Sequence, residues 1–244
     1  MATILAVGAH IGDMDLTAGP VLADAALAGH RVVLLALTPG ERGHPRLDVE
    51  RYREQKLVEG HAFAAAIGAE LRVLGYSDGF LEASPRVCAE VAAVIREVRP
   101  EVLIAHWGRS IHTDHAAASA VAVRARLWAS LPLRPDEPGG DLPRHGVRRL
   151  LFTENWEDVD GFVPDVYVPV SARAFEIWRA AIEGQAFARG ETYGFRYIDY
   201  YTAQLTMRGC LARTERAVAF AEHRDAPRTV SGIVEDSVVR AEGR

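Results

Sequence analysis

Short apolar segments alternate with longer helical ones through the first half of the chain, glycine or proline closes most of them, and polar loops follow the apolar runs directly. These observations predict an α/β fold: a three-layer α/β/α sandwich built around a mostly parallel sheet. Residues 4–7, Ile4-Leu5-Ala6-Val7, are short and uniformly apolar, as a strand covered on both faces is. Residues 16–28 are rich in Ala and Leu and stop at Gly29, so they predict a helix. Residues 31–37 are a second strand, completing a β-α-β unit. The Gly- and Pro-rich stretch 38–45 predicts an irregular loop, and 49–67 returns to helical spacing before Gly68. A third strand is predicted at 71–74, a helix at 85–98 closed by Pro100, and a fourth strand at 102–106. This is the Rossmann-like order, whose ligands gather at the carboxyl ends of the strands. Beyond about residue 150 the pattern loosens. Residues 131–145 carry many prolines and glycines and predict a long surface loop. Strands at 150–153 and 166–170, a helix at 174–187 and a loose tail from Arg224 complete the reading. The expectation is one domain over residues 1–244.

Composition narrows the function. An apolar fraction of 49% and a charged fraction of 25% are those of an ordinary globular protein. With 28 Lys+Arg against 33 Asp+Glu the net charge is −5, so there is no basic excess to neutralise a phosphate backbone, and nucleic acid is excluded as an expected partner. The two cysteines show neither disulfide-scaffold nor zinc spacing and fit a reducing cytoplasm. The apolar N-terminus lacks a basic leader and reads as a strand, and no run approaches the roughly 20 apolar residues of a membrane span.

Two loops carry the chemistry. His10 and Asp13 follow the first strand, and His112-Thr113-Asp114-His115 follows the fourth. In a parallel sheet both loops open on one rim, so two histidines and a carboxylate meet there. That donor set leaves one zinc position open, as catalytic sites do. Either pair alone has an ordinary reading, as a chance spacing or a helix cap; together, each at a strand end, they predict a metal centre. His30, His44, His61, His145 and His223 show no comparable setting.

At this point the chain resembles the PIG-L / LmbE-like zinc-dependent deacetylases, which remove acyl groups from N-acetylglucosamine-type sugars. The stretch from Ala9-His10 to Asp15 resembles their Ala-His-Pro-Asp-Asp-x-Glu loop, and His112 to His115 their His-x-Asp-His loop. Thr38-Pro39-Gly40-Glu41, Arg51-x-x-Glu54, Gly75 to Gly79 and Arg99 to Val102 fall in the same order. The resemblance implies an LmbE-like fold, one Zn2+ held by His10, Asp13 and His115, and His112 acting on the tetrahedral intermediate or leaving group, with Asp114 holding its imidazole. It associates Arg51 and Asp78 with substrate and loop organisation, and it implies a homo-oligomer. In the family pattern the first aspartate of the pair is the general base; here that position is Gly12, while Ile11 replaces the proline and Asp15 the glutamate. Losing a positioned base costs about 10²–10⁴-fold in rate. Replacement carboxylates are Asp15, Glu41, Glu154 and Glu157, the last two flanking Asn155 and Trp156 in a cluster suited to gripping a sugar. Trp107, Tyr193 and Tyr200 are candidate cleft walls.

Three functions fit. The first is a cytoplasmic zinc hydrolase acting on an N-acyl amino sugar or conjugate, with a displaced base. The second is a zinc-dependent hydratase of an unsaturated oxo-acid, for which Arg42, Arg51 or Arg109 would hold the carboxylate. The third is a non-catalytic zinc- or sugar-binding protein, against which the retention of the whole donor set argues.

Overall fold

The computed structural model describes residues 1–158 and 161–224. The predicted tail lies outside them from residue 225 on. The chain runs β1 (Thr3–His10), α1 (Asp13–Thr17), α2 (Gly19–Leu27), β2 (Arg31–Thr38), α3 (Val49–Ile67), β3 (Glu70–Val73), α4 (Pro85–Val98), β4 (Val102–His106), α5 (Thr113–Ser130), β5 (Arg149–Thr153), β6 (Val166–Pro169), α6 (Ala172–Ile182), α7 (Tyr197–Ala212) and β7 (Ala217–Glu222). One seven-stranded sheet has the order β3-β2-β1-β4-β5-β7-β6. The first five strands are mutually parallel, with Ala6 opposite Leu34 on one side and Ile104 on the other. β7 pairs antiparallel with both β5 and β6.

Alternation along the central strands explains the layers, because successive side chains point to opposite faces of a sheet. Ile4, Ala6, Val32 and Leu34 face a core closed by α2, α3, α6 and α7, in which Trp178 and Tyr201 are fully buried. Leu5, Val7, Val33 and Leu35 face the other core, closed by α4 and α5. The predicted sandwich is therefore the observed one.

Several local expectations are sharpened. The helix expected over 16–28 is two helices, because Ala18 leaves helical geometry (φ −121°) and Pro20 starts a new first turn. α3 and α4 match the predicted bounds. Asp48 caps α3 by accepting from the Arg51 amide at 3.0 Å, and Gly68 ends it at φ +77°. α6 ends at Ile182 instead of Phe187, and Gln185 and Phe187 then turn toward the β1 loop. α7 and β7 were not foreseen. Ile198, Tyr201 and Leu205 do have helical spacing, but the segment's aromatic and β-branched content hides it.

Candidate metal centre

The order β3-β2-β1-β4-β5 reverses direction between β1 and β4, and the site lies where these two strands end. β1 delivers His10 as its last residue. Gly12 caps α1 in a left-handed conformation (φ +107°), which turns Asp13 back so that its Oδ2 accepts from the His10 amide at 2.7 Å. Beyond β4, His112 is the N-cap of α5, its Nδ1 accepting from the Asp114 amide at 3.3 Å, and the first turn of α5 presents His115.

Ligand-type atoms of His10, Asp13 and His115 lie within 4.8 Å of one another. The outward nitrogen of each imidazole meets a carboxylate: His10 Nε2 is 3.0 Å from Asp78 Oδ1 and 3.3 Å from Asp114 Oδ2, and His115 Nδ1 is 3.0 Å from Glu157 Oε2. The inward nitrogens converge on Asp13 Oδ2, His10 Nδ1 at 3.3 Å and His115 Nε2 at 3.5 Å. Carboxylates behind ligand imidazoles are the usual second layer of a metal site, fixing tautomer and ring orientation. His10, His112 and Asp114 also lie close enough to share an ion. We favour the Asp13 set, because both Asp114 oxygens are engaged, Oδ2 by the Gly79 amide (2.7 Å) and Oδ1 by the Leu81 amide (3.3 Å), whereas among the described residues the contacts of the Asp13 carboxylate fall on Oδ2.

Electrostatics agree with the donor set. Burial acts to lower the His10 imidazole, yet Asp13, Asp114 and Asp78 hold it well above its ordinary value. His115, opposed by burial in the same way, is pushed up to about 9 by Asp13 and Glu157. Burial would raise Asp13, but His115 and His10 hold it well below the carboxylate range. The carboxylates thus draw positive charge into the cluster, as a site built for a divalent cation does.

Around this cluster is a cleft of about 490 Å³. His10, Asp13, Asp78, His112, His115 and Asn155 reach it, and so do Glu157 and Tyr193. Other candidates lie elsewhere. Asp15 is buried behind Gly12, its Oδ2 accepting from Gln185 Nε2 at 2.6 Å; two residues along a helix turn it about 200° from Asp13. Asp15 is therefore not the missing base, and burial raises its carboxyl to about 7. Asp114 does not hold His112 through its carboxylate, which instead faces His10. Glu41 lies beneath the cleft, accepting from the Asp78 amide (3.0 Å) and Ser77 Oγ (3.3 Å), and so shapes the loop that presents Asp78. Arg51 opens on a separate surface groove with Leu47 and Glu54. Glu154 is held by Arg208. Trp107 points to the α4/α5 core, edge-on to Phe152 and Phe162, and Tyr200 packs on Phe195 and Tyr201.

Three residues escaped the sequence reading. His106 is buried at the end of β4 with Nε2 3.0 Å from Asp13 Oδ2, and it stacks on His115 at 4.1 Å. Burial and the neighbouring His115 lower it to about 4. Phe187 occupies the space beside Gly12, where a side chain's Cβ would come within 2.3 Å of Phe187 Cζ. Lys56, the only lysine among the 28 cationic residues, lines the cleft. Its singularity was the legible signal.

Fold and site together define a Rossmann-like protein with a metal-type donor set at the carboxyl rim of its sheet. Residues 5–126 match the family described as PIG-L, GlcNAc-PI de-N-acetylase, and the chain belongs to that family. It is 32% identical over 166 residues to a 1D-myo-inositol 2-acetamido-2-deoxy-alpha-D-glucopyranoside deacetylase of Catenulispora acidiphila, the match covering 56% of this chain and 51% of that protein. To the enzyme of the same name from Geodermatophilus obscurus it is 28% identical, covering 84% of each. The chain thus spans about half the length of the first relative and most of the second. The 4-carboxy-2-hydroxymuconate hydratase GalB from Pseudomonas putida superposes with a TM-score of 0.80 over 96% of this chain and all of that one; at 22% identity the likeness shows the fold. No described helix is long and apolar enough to cross a membrane.

Proposed function

We propose that the protein is a metal-dependent hydrolase that removes an acyl group from an N-acyl amino sugar or sugar conjugate. The observation that carries this reading is the convergence of His10 Nδ1 and His115 Nε2 on Asp13, each imidazole backed by a carboxylate. Two imidazoles and one carboxylate with an open position suit zinc. When bound there, such an ion acidifies water and polarises a carbonyl. The names of the relatives support an N-acetylglucosaminyl conjugate as substrate. Trp156, Tyr193 and Phe195 give the cleft an aromatic wall on which a sugar ring can lie.

The chain's own residues divide the remaining work. His112 Nδ1 accepts a backbone N–H, so its Nε2 carries the proton of the neutral ring and donates toward a developing oxyanion or a departing amine. Of the four candidate carboxylates, only Glu157 reaches the cleft. Its Oε2 orients His115, and the carboxylate as a whole serves as the displaced base. Asp78 and Asp114 fix His10, and Asn155 Oδ1 accepts from the Glu157 amide at 3.1 Å, fixing Glu157.

Free amine released from a panel of N-acetylglucosaminyl conjugates, with inositol and other aglycones, is the test. Zinc-loaded protein should release it, and Glu157→Gln should lower turnover about 10²–10⁴-fold with metal retained. His10→Ala and His115→Ala should lose stoichiometric metal by elemental analysis. No amine from any member of the panel would turn the assignment to a second reading, water addition to an unsaturated oxo-acid. One observation favours that reading: Phe187, not a carboxylate, fills the place beside Gly12.

A further inference from the structure

Lys56 is 5% exposed, yet it lines the cleft. Its Nζ donates to the Ile11 carbonyl and sits 3.9 Å from the centre of the Phe187 ring. Among the described residues no carboxylate lies within salt-bridge distance of it. A buried ammonium without an ion-pair partner is costly, and a carbonyl and a ring face compensate it only in part. Burial accordingly lowers its amine below the ordinary lysine range, although Asp13, Asp15, Glu59 and Asp78 at longer range oppose the shift.

Three of its four acidic neighbours are engaged or turned elsewhere, and the fourth, Glu59, accepts through Oε1 from Gln55 Nε2 at 2.8 Å and the Ala186 amide at 3.3 Å, its Oε2 buried. Asp13 and Asp78 face the histidines, and Asp15 is turned away and bonded to Gln185. Next to Lys56 the chain has a glycine and a benzyl ring, neither of which can carry charge. This corner of the cleft therefore presents one ammonium, walled by apolar surface and paired with no carboxylate among the described residues. All 27 other cationic side chains are arginine, and the one lysine is also the one placed in the cleft as a compact charge on a flexible stem.

We propose that Lys56 reads an anionic group on the ligand, so that the protein takes a sugar or sugar-like acid whose carboxylate pairs with Nζ over the Phe187 ring. This rests on the cleft being the ligand site and on no particular reaction within it. Arg51, expected to serve a carboxylate, lies on another surface, and the amide of Arg42 is bound to Asp78 while its guanidinium covers Phe80.

The test reads binding, so it stays separate from the release of amine. Calorimetric titration of zinc-loaded protein would compare N-acetylmuramic acid with N-acetylglucosamine, which lacks its carboxylate. Wild type should prefer the acid by at least about tenfold, and Lys56→Met should lose that preference while binding the neutral sugar as before. Equal affinity of the wild type for both sugars, or a preference that survives Lys56→Met, overturns the proposal. Equal loss of both probes in the variant would mean that Lys56 merely clamps the Ile11 loop, and would also overturn it. A measurement needing no variant uses the single lysine: reductive methylation followed by mass spectrometry reports Lys56 against the Met1 amine. N-acetylmuramic acid should slow methylation of Lys56 alone, several-fold more than N-acetylglucosamine does; equal protection by the two sugars counts against carboxylate recognition.

Discussion

At Gly12 two constraints of different origin coincide. Its φ of +107° disfavours any L side chain, and an added Cβ would meet the end of the Phe187 ring at 2.3 Å. Gly12→Ala should therefore cost about 1–3 kcal/mol in urea unfolding. The Gly12→Ala, Phe187→Ala double variant should recover part of that cost, because the ring is one of the two causes; strict additivity in the cycle would remove Phe187 from the account. By the same argument Gly12→Asp alone does not restore a base, and only paired with Phe187→Ala does a carboxylate have room. Glu157 gives a second prediction at this scale. Glu157→Gln keeps the shape but weakens the bond to His115 Nδ1, so zinc affinity measured by chelator competition should fall about 10–100-fold without being abolished.

The helices that frame the site owe their positions to ordinary packing and caps. α4 has Val87, Val91, Ile95 and Val98 on one buried face, Ser84 accepting from the Val87 amide at its start, and Arg99 in a left-handed conformation at its end. Ile95→Ala should lower stability by about 2–5 kcal/mol through the cavity it leaves, whereas Ser84→Ala should cost about 0.5–2 kcal/mol, both read by denaturant titration. Neither residue touches the cleft, so metal content should be unchanged in both. α3, α4 and β4 were legible to the residue because caps, glycine stops and apolar spacing agree there. α6 was read too long because helical composition continues past Ile182; the chain leaves the helix to pack Phe187 against Gly12 and hydrogen-bond Gln185 to Asp15, contacts between segments some 170 residues apart.

The whole molecule brings the His/Asp donor set of the candidate metal centre together from two segments a hundred residues apart, with a third, around Glu157, closing over His115. Ligand binding to the folded state alone must therefore stabilise the entire assembly. Zinc at a thousand times its dissociation constant should add about 4 kcal/mol, a rise in Tm on the order of 10 °C by calorimetry, and a chelator should reverse it. Unchanged Tm would mean that His10, Asp13 and His115 do not close on one ion.

The sequence by itself determined the parallel sheet, the two histidine loops on one rim and the replacement of the expected aspartate by Gly12, because periodicity, strand-end position and residue identity are local properties. Tertiary structure decided which carboxylates matter. Along the chain Asp15, Glu41, Glu154 and Glu157 were all candidates for the displaced base, the cluster holding Glu154 and Glu157 foremost. Helical rotation buries Asp15, Arg208 holds Glu154, the Asp78 loop engages Glu41, and Glu157 alone faces His115. It likewise put Lys56 in the cleft instead of Arg51, since five residues along α3 turn a side chain by about 140° and only one of the two faces the β1 loop. Such choices depend on the direction a side chain takes in space and on what arrives from distant segments, which spacing along the chain does not specify.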